Sequence, residues 1–194
     1  MSVDLCLTDD AVDHVQDGVD VSIRFRHQLS PGLAARLLAD VPMVFCAAPA
    51  YLARAGRPSR PEDLADHDCL VFRVPQDGLV LRWGVVRDGV RFEPDVRRSL
   101  TCNDVGALAM MAVAGGGVTR LASFLANDLI ADGLLEPLFL DNEGPGSVTV
   151  EPLEFYACYQ DRRDVPLKVR RFIDDLVAGL AGHPKLQALP VRRA

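Results

Sequence analysis

The stretch Ala-Pro-Ala-Tyr-Leu-Ala-Arg-Ala-Gly-Arg-Pro-Ser-Arg-Pro-Glu-Asp-Leu-Ala-Asp-His-Asp-Cys-Leu, residues 48–70, holds the most specific pattern in this 194-residue sequence. It follows an apolar run, Met43 to Ala47, which predicts a buried strand. Pro49 and Pro61 stand where first-turn prolines are typical, because the missing N–H would have no partner there. The stretch therefore predicts a short helix after the strand and then a Pro-Glu-Asp-Leu turn.

Composition and charge limit the possible functions. The residues are 49% apolar and 6% aromatic, as expected for an α/β protein of one domain or two small lobes. The net charge is −6, and basic residues form only short pairs, so this chain lacks the basic face that nucleic-acid binding usually needs. No apolar run approaches the roughly 18 residues that span a bilayer, and no export signal is visible.

The cysteines and histidines predict neither a disulfide framework nor a metal site. The five cysteines form no Cys-x-x-Cys pair, and most of them lie in apolar runs. We therefore expect them to be buried small apolar residues. The four histidines do not combine with the cysteines at metal-ligand spacing, so no metal and no cofactor are expected.

The N-terminal residues predict a β-α-β unit. Val3 to Thr8 alternates apolar and polar residues, Asp9 or Asp10 can cap a short helix that ends at Gly18, and alternation resumes from Val19 to Phe25. Such a unit requires a right-handed crossover and a parallel sheet.

The rest of the chain continues to alternate between strands and helices, which indicates an α/β fold. Asn103 or Asp104 can cap a helix that ends at the glycine triplet 115–117, and Pro166 opens the last helix. The further predicted strands are Leu33–Ala39, Val41–Ala47, Arg97–Cys102, Val118–Leu121 and Leu153–Tyr159, with another helix over Ser123–Asp132.

Residues 48–70 resemble the middle of the effector-sensing domain of LysR-type transcriptional regulators. In that family a Ser/Ala-Pro-x-Tyr-Leu helix is followed by Gly-x-Pro-x-x-Pro-x-Asp-Leu and His-x-Cys-Leu. Four other segments are similar to the same domain, and the resemblance covers about residues 3–181. These segments are Asp20–Arg24, Asn103-Asp104 with Gly115–Thr119, Asp132–Pro137, and Pro166–Asp174.

The resemblance implies a two-lobe α/β fold like that of periplasmic binding proteins, with mainly parallel sheets. Lobe one would comprise residues 1–47 and 154–194, and lobe two residues 48–153. The family's helix-turn-helix and linker helix are not in this sequence, and neither are the strand and helix that normally open lobe one. We therefore expect an incomplete lobe one. The chain would be a fragment, a shortened gene product, or a protein that fills the gap by another strand or by closing up.

The resemblance also implies the residues that contact an effector. They are polar turns after two strands, a strand-end arginine, and the strand after the glycine triplet: Thr8, Asp9, Arg24, Asn103, Asp104, Val118 and Thr119. The polar residues at the two turns are equally good helix caps. Arg24 can pair with a neighbouring carboxylate instead of a ligand. Both alternatives stay open at this point.

The function implied is that of the ligand-sensing and oligomerisation domain of a cytoplasmic LysR-type regulator. It would bind a small, anionic effector in the inter-lobe cleft without chemistry, and would act as a homo-dimer or higher oligomer. DNA contact would come only from a helix-turn-helix outside this chain, and no membrane is involved. The alternatives are a free-standing solute-binding protein and a non-sensing dimerisation remnant. An enzyme is disfavoured because no Gly-x-Ser-x-Gly elbow or paired catalytic residues are visible.

Overall fold

The computed structural model describes residues 2–8, 10, 12–140, 147–160 and 165–188. The chain divides into two compact units. The first comprises Met1–Val41 with Leu153–Leu186, and the second Pro42–Pro152 with Gln187–Ala194. The lobe boundaries at residues 47 and 154 stay predictions. The strand that begins at Met43 pairs with strands of the second unit.

The described residues contain eleven strands, four α-helices and three short 3₁₀ helices, and the regular elements follow in chain order. The strands are β1 Ser22–Phe25, β2 Leu33–Val41, β3 Met43–Ala47, β4 Asp68–Phe72, β5 Val85–Arg87, β6 Val90–Phe92, β7 Arg97–Cys102, β8 Val118–Ala122, β9 Glu136–Leu138, β10 Val148–Val150 and β11 Leu153–Gln160. The helices are α1 Pro49–Ala55, α2 Val105–Val113, α3 Ser123–Ala131 and α4 Leu167–Leu180. No helix in the described ranges is long and apolar enough to cross a membrane.

The first unit is a three-stranded antiparallel sheet, in the order β1-β11-β2, that packs against α4. The chain leaves this unit at Val41 and returns at Leu153, and these two residues pair in the ladder. The two strands must therefore run in opposite directions. Val169 and Ile173 of α4 are buried against Leu38 of β2, as the apolar stripe of this helix predicts.

The predicted N-terminal β-α-β unit is wrong in the described residues. No strand forms over residues 2–8, and only one turn, closed by the Asp17 N–H donating to the Asp13 carbonyl at 2.9 Å, stands in place of the helix. An alternating sequence forms a strand only where another strand pairs with it. No described strand pairs with residues 2–8. Val3, Leu5 and Leu7 are 60%, 75% and 87% exposed.

The second unit is built on a five-stranded sheet in the order β7-β4-β8-β3-β9. β4 runs parallel to β7 and β8, whereas β3 runs antiparallel to β8 and β9. A smaller sheet, β10-β5-β6, is antiparallel throughout, and a two-residue hairpin joins β5 to β6. The α/β class is confirmed, but the sheets of the described residues are mixed instead of mainly parallel.

Two buried clusters cover the two faces of the five-stranded sheet. One packs α2 and α3 on the sheet through residues such as Leu108, Ala112 and Ala126. The other, centred on Phe45 and Trp83, lies between this sheet and β10-β5-β6. The larger sheet is therefore shielded on both sides, which suits its parallel pairs.

The stretch at residues 48–70 has the predicted structure. Pro49 opens α1, and Pro61 opens a 3₁₀ turn over Pro61–Ala65. The buried Tyr51 hydroxyl accepts a hydrogen bond from the Asp68 backbone N–H at 2.9 Å and lies 3.1 Å from Nδ1 of His67. The tyrosine and histidine of this motif therefore connect α1 to the start of β4.

Candidate functional site

The carboxyl ends of three parallel strands meet at one edge of the second unit. Asn103 and Asp104 follow β7, Arg73 follows β4, and β8 ends at Ala122. The Arg73 backbone N–H donates to the Cys102 carbonyl at 2.8 Å, which fixes the ends of β4 and β7 side by side. Ligands of open α/β sheets bind beyond such edges.

Asn103 and Asp104 have different roles at this edge. The Asp104 carboxylate accepts a hydrogen bond from the Ala107 N–H at 2.6 Å and so caps α2. The exposed Asn103 amide makes no hydrogen bond to the described residues. The capping hydrogen bond accounts for an aspartate at position 104, whereas the exposed Asn103 amide is accessible to a ligand.

Val118 and Thr119 are fully buried in β8. The Thr119 hydroxyl donates to the Leu70 carbonyl at 3.1 Å, so its hydrogen-bonding capacity serves the sheet. The preceding Gly117 also has a packing role, because a Cβ there would lie 2.3 Å from the Asp68 carbonyl oxygen. Contact between Val118 or Thr119 and a ligand stays a prediction.

Arg120, the next residue of β8, is not among the site residues predicted from the sequence. Arg120 lies opposite Phe45 in the ladder and is only 8% exposed. Its Nε and Nη1 atoms are buried and make no hydrogen bond to the residues that the structure describes. Burial lowers the pKa of Arg120 to about 10, so the guanidinium still carries its charge at neutral pH.

The two carboxylates that interact electrostatically with Arg120, Glu151 and Glu93, are bonded to other arginines. Glu151 receives two hydrogen bonds from Arg91, both at 2.9 Å, and Glu93 is paired with Arg91 at 2.9 Å and Arg82 at 3.1 Å. These exposed pairs hold the pKa of Glu93 below its usual range. The group thus contains three arginines and two glutamates. Arg82 and Arg91 form the ion pairs, and the buried Arg120 is left without one among the described residues.

Arg120 is close to the place where the chain passes between its units. Ala122 pairs with Met43, and the Ser123 N–H donates to the Pro42 carbonyl at 2.8 Å. Pro42 is the first residue of the second unit. We call this end, which includes the carboxyl ends of β4, β7 and β8, the crossing end of the second unit.

In the first unit, Arg24 lines an open pocket of about 430 Å³. Its Nε donates to the Ser22 hydroxyl at 3.0 Å and its Nη2 to the Val12 carbonyl at 2.7 Å. The lining residues are Val12, Asp13, His14, Val15, Arg24, Ser30, Gly32, Leu33 and Gln160.

Thr8 is not among the residues that line this pocket. Its exposed hydroxyl donates to the Asp10 carboxylate at 3.2 Å and accepts from the Asp10 N–H at 3.0 Å, which closes a local turn. Asp9 lies outside the described residues. Thr8 therefore does not share the pocket that Arg24 lines, and a ligand contact from either Thr8 or Asp9 stays a prediction.

Other chemistries find no support in the described residues. No group of three or more histidine, cysteine, aspartate or glutamate side chains there can hold a metal ion. All five cysteines are free thiols, and Cys46, Cys69 and Cys158 are buried as predicted, while Cys6 is exposed. Burial raises the pKa of the Cys46 and Cys69 thiols to about 12, so neither is a reactive thiolate at neutral pH.

Comparison with known proteins identifies the family. The model of the LysR substrate binding domain matches residues 1–181. The chain belongs to this family. The regulator CrgA of Neisseria meningitidis serogroup C is 32% identical over 169 residues, which are 87% of this chain and 54% of CrgA. The activator AaeR of Escherichia coli K12 is 32% identical over 179 residues, 91% of this chain and 54% of AaeR.

Solved structures of LysR-type regulators have the same fold. The CrgA regulatory domain from Neisseria meningitidis is 28% identical, with a TM-score of 0.65, and the match covers 88% of this chain and 81% of that domain. Full-length AphB of Vibrio cholerae is 22% identical with a TM-score of 0.69, over 91% of this chain and 57% of AphB, and shows the fold alone. This LysR-family chain spans about half the length of the curated relatives that it matches. These relatives are transcriptional regulators and not enzymes.

Proposed function

We propose that this chain is the effector-sensing part of a LysR-type regulator and binds a small organic anion at the crossing end of the second unit. The observation that carries the proposal is the buried charge of Arg120, whose Nε and Nη1 lack partners among the described residues. Asn103, which follows β7 at the same end of the sheet, would assist.

The charge balance favours an anion. A buried charge without a partner is costly, and its cost falls when a hydrogen-bonded counter-ion is supplied. Glu93 and Glu151 are bonded to Arg82 and Arg91, so they favour the charge of Arg120 from a distance but give its Nε and Nη1 no hydrogen bond. A carboxylate accepts charge-assisted hydrogen bonds from a guanidinium, so it would supply the missing counter-ion and a partner for one of the two unpaired donors.

The mechanism would be a population shift. An effector that prefers one conformation of the protein changes the share of molecules in that conformation, and no chemistry on the effector is needed. In the whole regulator this shift would alter how a homo-dimer or higher oligomer presents its helix-turn-helix domains to DNA in the cytoplasm.

The proposal is tested by the melting temperature of the purified chain with acetate, succinate, citrate and benzoate, each compared with its neutral amide. At a hundred-fold excess over Kd, a bound effector adds about 2.7 kcal/mol to the free energy of unfolding. We expect at least one carboxylate, and no amide, to raise the melting temperature. The Arg120→Met variant should lose most of this response, whereas Arg98→Met, which removes an exposed arginine of β7, should respond as the parent chain does.

An equal response of Arg120→Met and the parent chain would contradict the proposed site. If no carboxylate raises the melting temperature while the chain forms a stable dimer, the non-sensing dimerisation remnant becomes the better account.

A further inference from the structure

The pocket beside Arg24 lies away from the end of the first unit where the chain crosses. Leu33 and Gln160, which line the pocket, pair at one end of the ladder, Arg24 pairs with Tyr156 near its middle, and Val41 pairs with Leu153 at the other end. β2 spans nine residues from one end to the other, which is about 25 Å at the usual rise of a strand. Because Arg24 donates to Ser22, which pairs with Cys158, its guanidinium is directed toward the Gln160 end, and the pocket lies toward the end opposite the crossing point.

Arg24 provides an unpaired positive charge in this pocket. No carboxylate among the described residues forms an ion pair with it, and its hydrogen bonds go to the Ser22 hydroxyl and a backbone carbonyl. Asp13 is the single acidic residue of the lining. Its carboxylate accepts from the N–H groups of Val15 and Gln16, at 2.8 and 3.0 Å, and these bonds lower its pKa. Asp13 thus stabilises its own turn and leaves Arg24 without a counter-ion.

His14 does not add a second charge. It is 7% exposed, and its Nε2 lies 2.9 Å from the Ser22 hydroxyl oxygen. Because this oxygen accepts from Arg24, the hydroxyl proton is available to donate to a neutral His14 Nε2. Burial and the neighbouring Arg24 lower the pKa of His14, which keeps the ring neutral at pH 7.

The remaining lining determines the class of ligand. Val12, Val15 and Leu33 offer apolar contact, while Ser30 and Gln160 offer neutral hydrogen-bonding groups. A volume of about 430 Å³ is within the usual range for small-molecule pockets and exceeds the needs of an inorganic anion. We infer that the first unit has a second ligand site, in which Arg24 binds the carboxylate of an organic monoanion and the pocket's valines and leucine contact its alkyl part.

The test uses hexanoate, with hexanamide as a neutral molecule of the same size, added to the chain while NMR records the rings of its four histidines. We expect hexanoate, and not hexanamide, to shift the His14 signals in a saturable way. His67, which is bonded to Tyr51 in the second unit, should not move. Arg24→Gln should weaken hexanoate binding at least tenfold.

Two further variants of the same unit complete the experiment. Arg36→Gln removes an exposed arginine of β2 that pairs with Asp174, and it should change the Kd less than twofold. Leu33→Trp fills the pocket while Arg24 remains, so it should abolish the shift and decides the question if Arg24→Gln does not fold. Unmoved His14 signals, or equal affinity in Arg24→Gln and Arg36→Gln, would overturn the inference.

The Arg120 site and the Arg24 site can be tested independently of each other. Arg120→Met should leave the hexanoate-induced shift of His14 unchanged, because it alters only the second unit. Arg24→Gln should likewise leave intact the rise in melting temperature caused by an effector at the crossing end of the second unit.

Discussion

The two units differ in how completely they bury their sheets. The second unit has two clusters of ten buried residues each, on opposite faces of its five-stranded sheet. The first has one cluster of four, between three strands and α4, and its strand β1 pairs on one side alone within the described residues. Free energy from apolar burial scales with the area removed from water, so the second unit should be the more stable.

The units also place their unpaired arginines differently. Arg120 of the second unit is buried in a strand, where an unpaired charge is costly. Arg24 of the first unit is half-buried on the wall of an open pocket, where water can solvate it. A ligand at Arg120 should therefore have the larger effect on stability, and a ligand at Arg24 the smaller.

The largest expected effect compares the two cores directly. Phe45 is fully buried, with Trp83 and Phe139 edge-on at 5.2 and 5.5 Å, so Phe45→Ala should cost about 3–5 kcal/mol of unfolding free energy. Ile173→Ala should increase hydrogen exchange in β1, β2 and β11 and leave β3 and β8 unchanged.

Exposed Val90 provides the matched control for both core variants, and Val90→Ala should change stability by less than about 0.5 kcal/mol. If Ile173→Ala also speeds exchange in β3 and β8, the two units unfold together and the comparison fails.

Arg120→Met should stabilise the chain without ligand. Methionine retains most of the side-chain length and removes a buried charge with two unsatisfied donors, and relief of such a group is worth about 1–3 kcal/mol. Urea unfolding of Arg120→Met against Arg98→Met measures the gain. A loss of stability in Arg120→Met would show that the guanidinium has partners that this account omits.

Adjacent residues at the start of α2 give a smaller and sharper contrast. Asp104→Ala removes the side-chain hydrogen bond to the Ala107 N–H and should cost about 1 kcal/mol. Asn103→Ala should change thermal stability by less than about 0.5 kcal/mol but weaken effector binding. Equal losses of stability in the two variants would mean that Asn103 has a structural role as well.

The smallest effect is a dependence on pH in the first unit. The pKa of His14 is lower in the folded chain than in the unfolded chain, so the unfolded state binds more protons as the pH falls below about 6.5. Stability should therefore be full above that pH and decline on acidification. His14→Gln should flatten the decline, and an unchanged profile between pH 7 and 5 would contradict it.

Most elements of the second unit could be predicted because their signals are local. Pro49, Pro61 and Asp104 mark the starts of helices and turns, and short apolar runs mark β3 and β8. The N-terminal strand could not be judged this way, because strand pairing depends on a neighbour that is distant in sequence. Residues 3–7 alternate as a strand does, yet they are exposed and unpaired.

The candidate site was less predictable than the fold. Asp104 and Asn103 follow a strand end, which a sequence pattern can reveal. The burial of Arg120 depends on tertiary packing, so it could not be predicted from local sequence alone. The arginine within the mostly apolar run Val118–Ala122 was nevertheless a usable signal. The Thr119 hydroxyl donates to the Leu70 carbonyl, and its contact with a ligand stays a prediction.

The most direct test of the central claim is the ¹⁵N spectrum of the arginine side chains of this chain during titration with the carboxylate that raises its melting temperature. The account predicts that the Nε–H signal of Arg120 shifts in a saturable way, with the same Kd as the thermal response, and that the matched amide has no effect. An Arg120 signal that stays in place while the carboxylate binds would contradict the account.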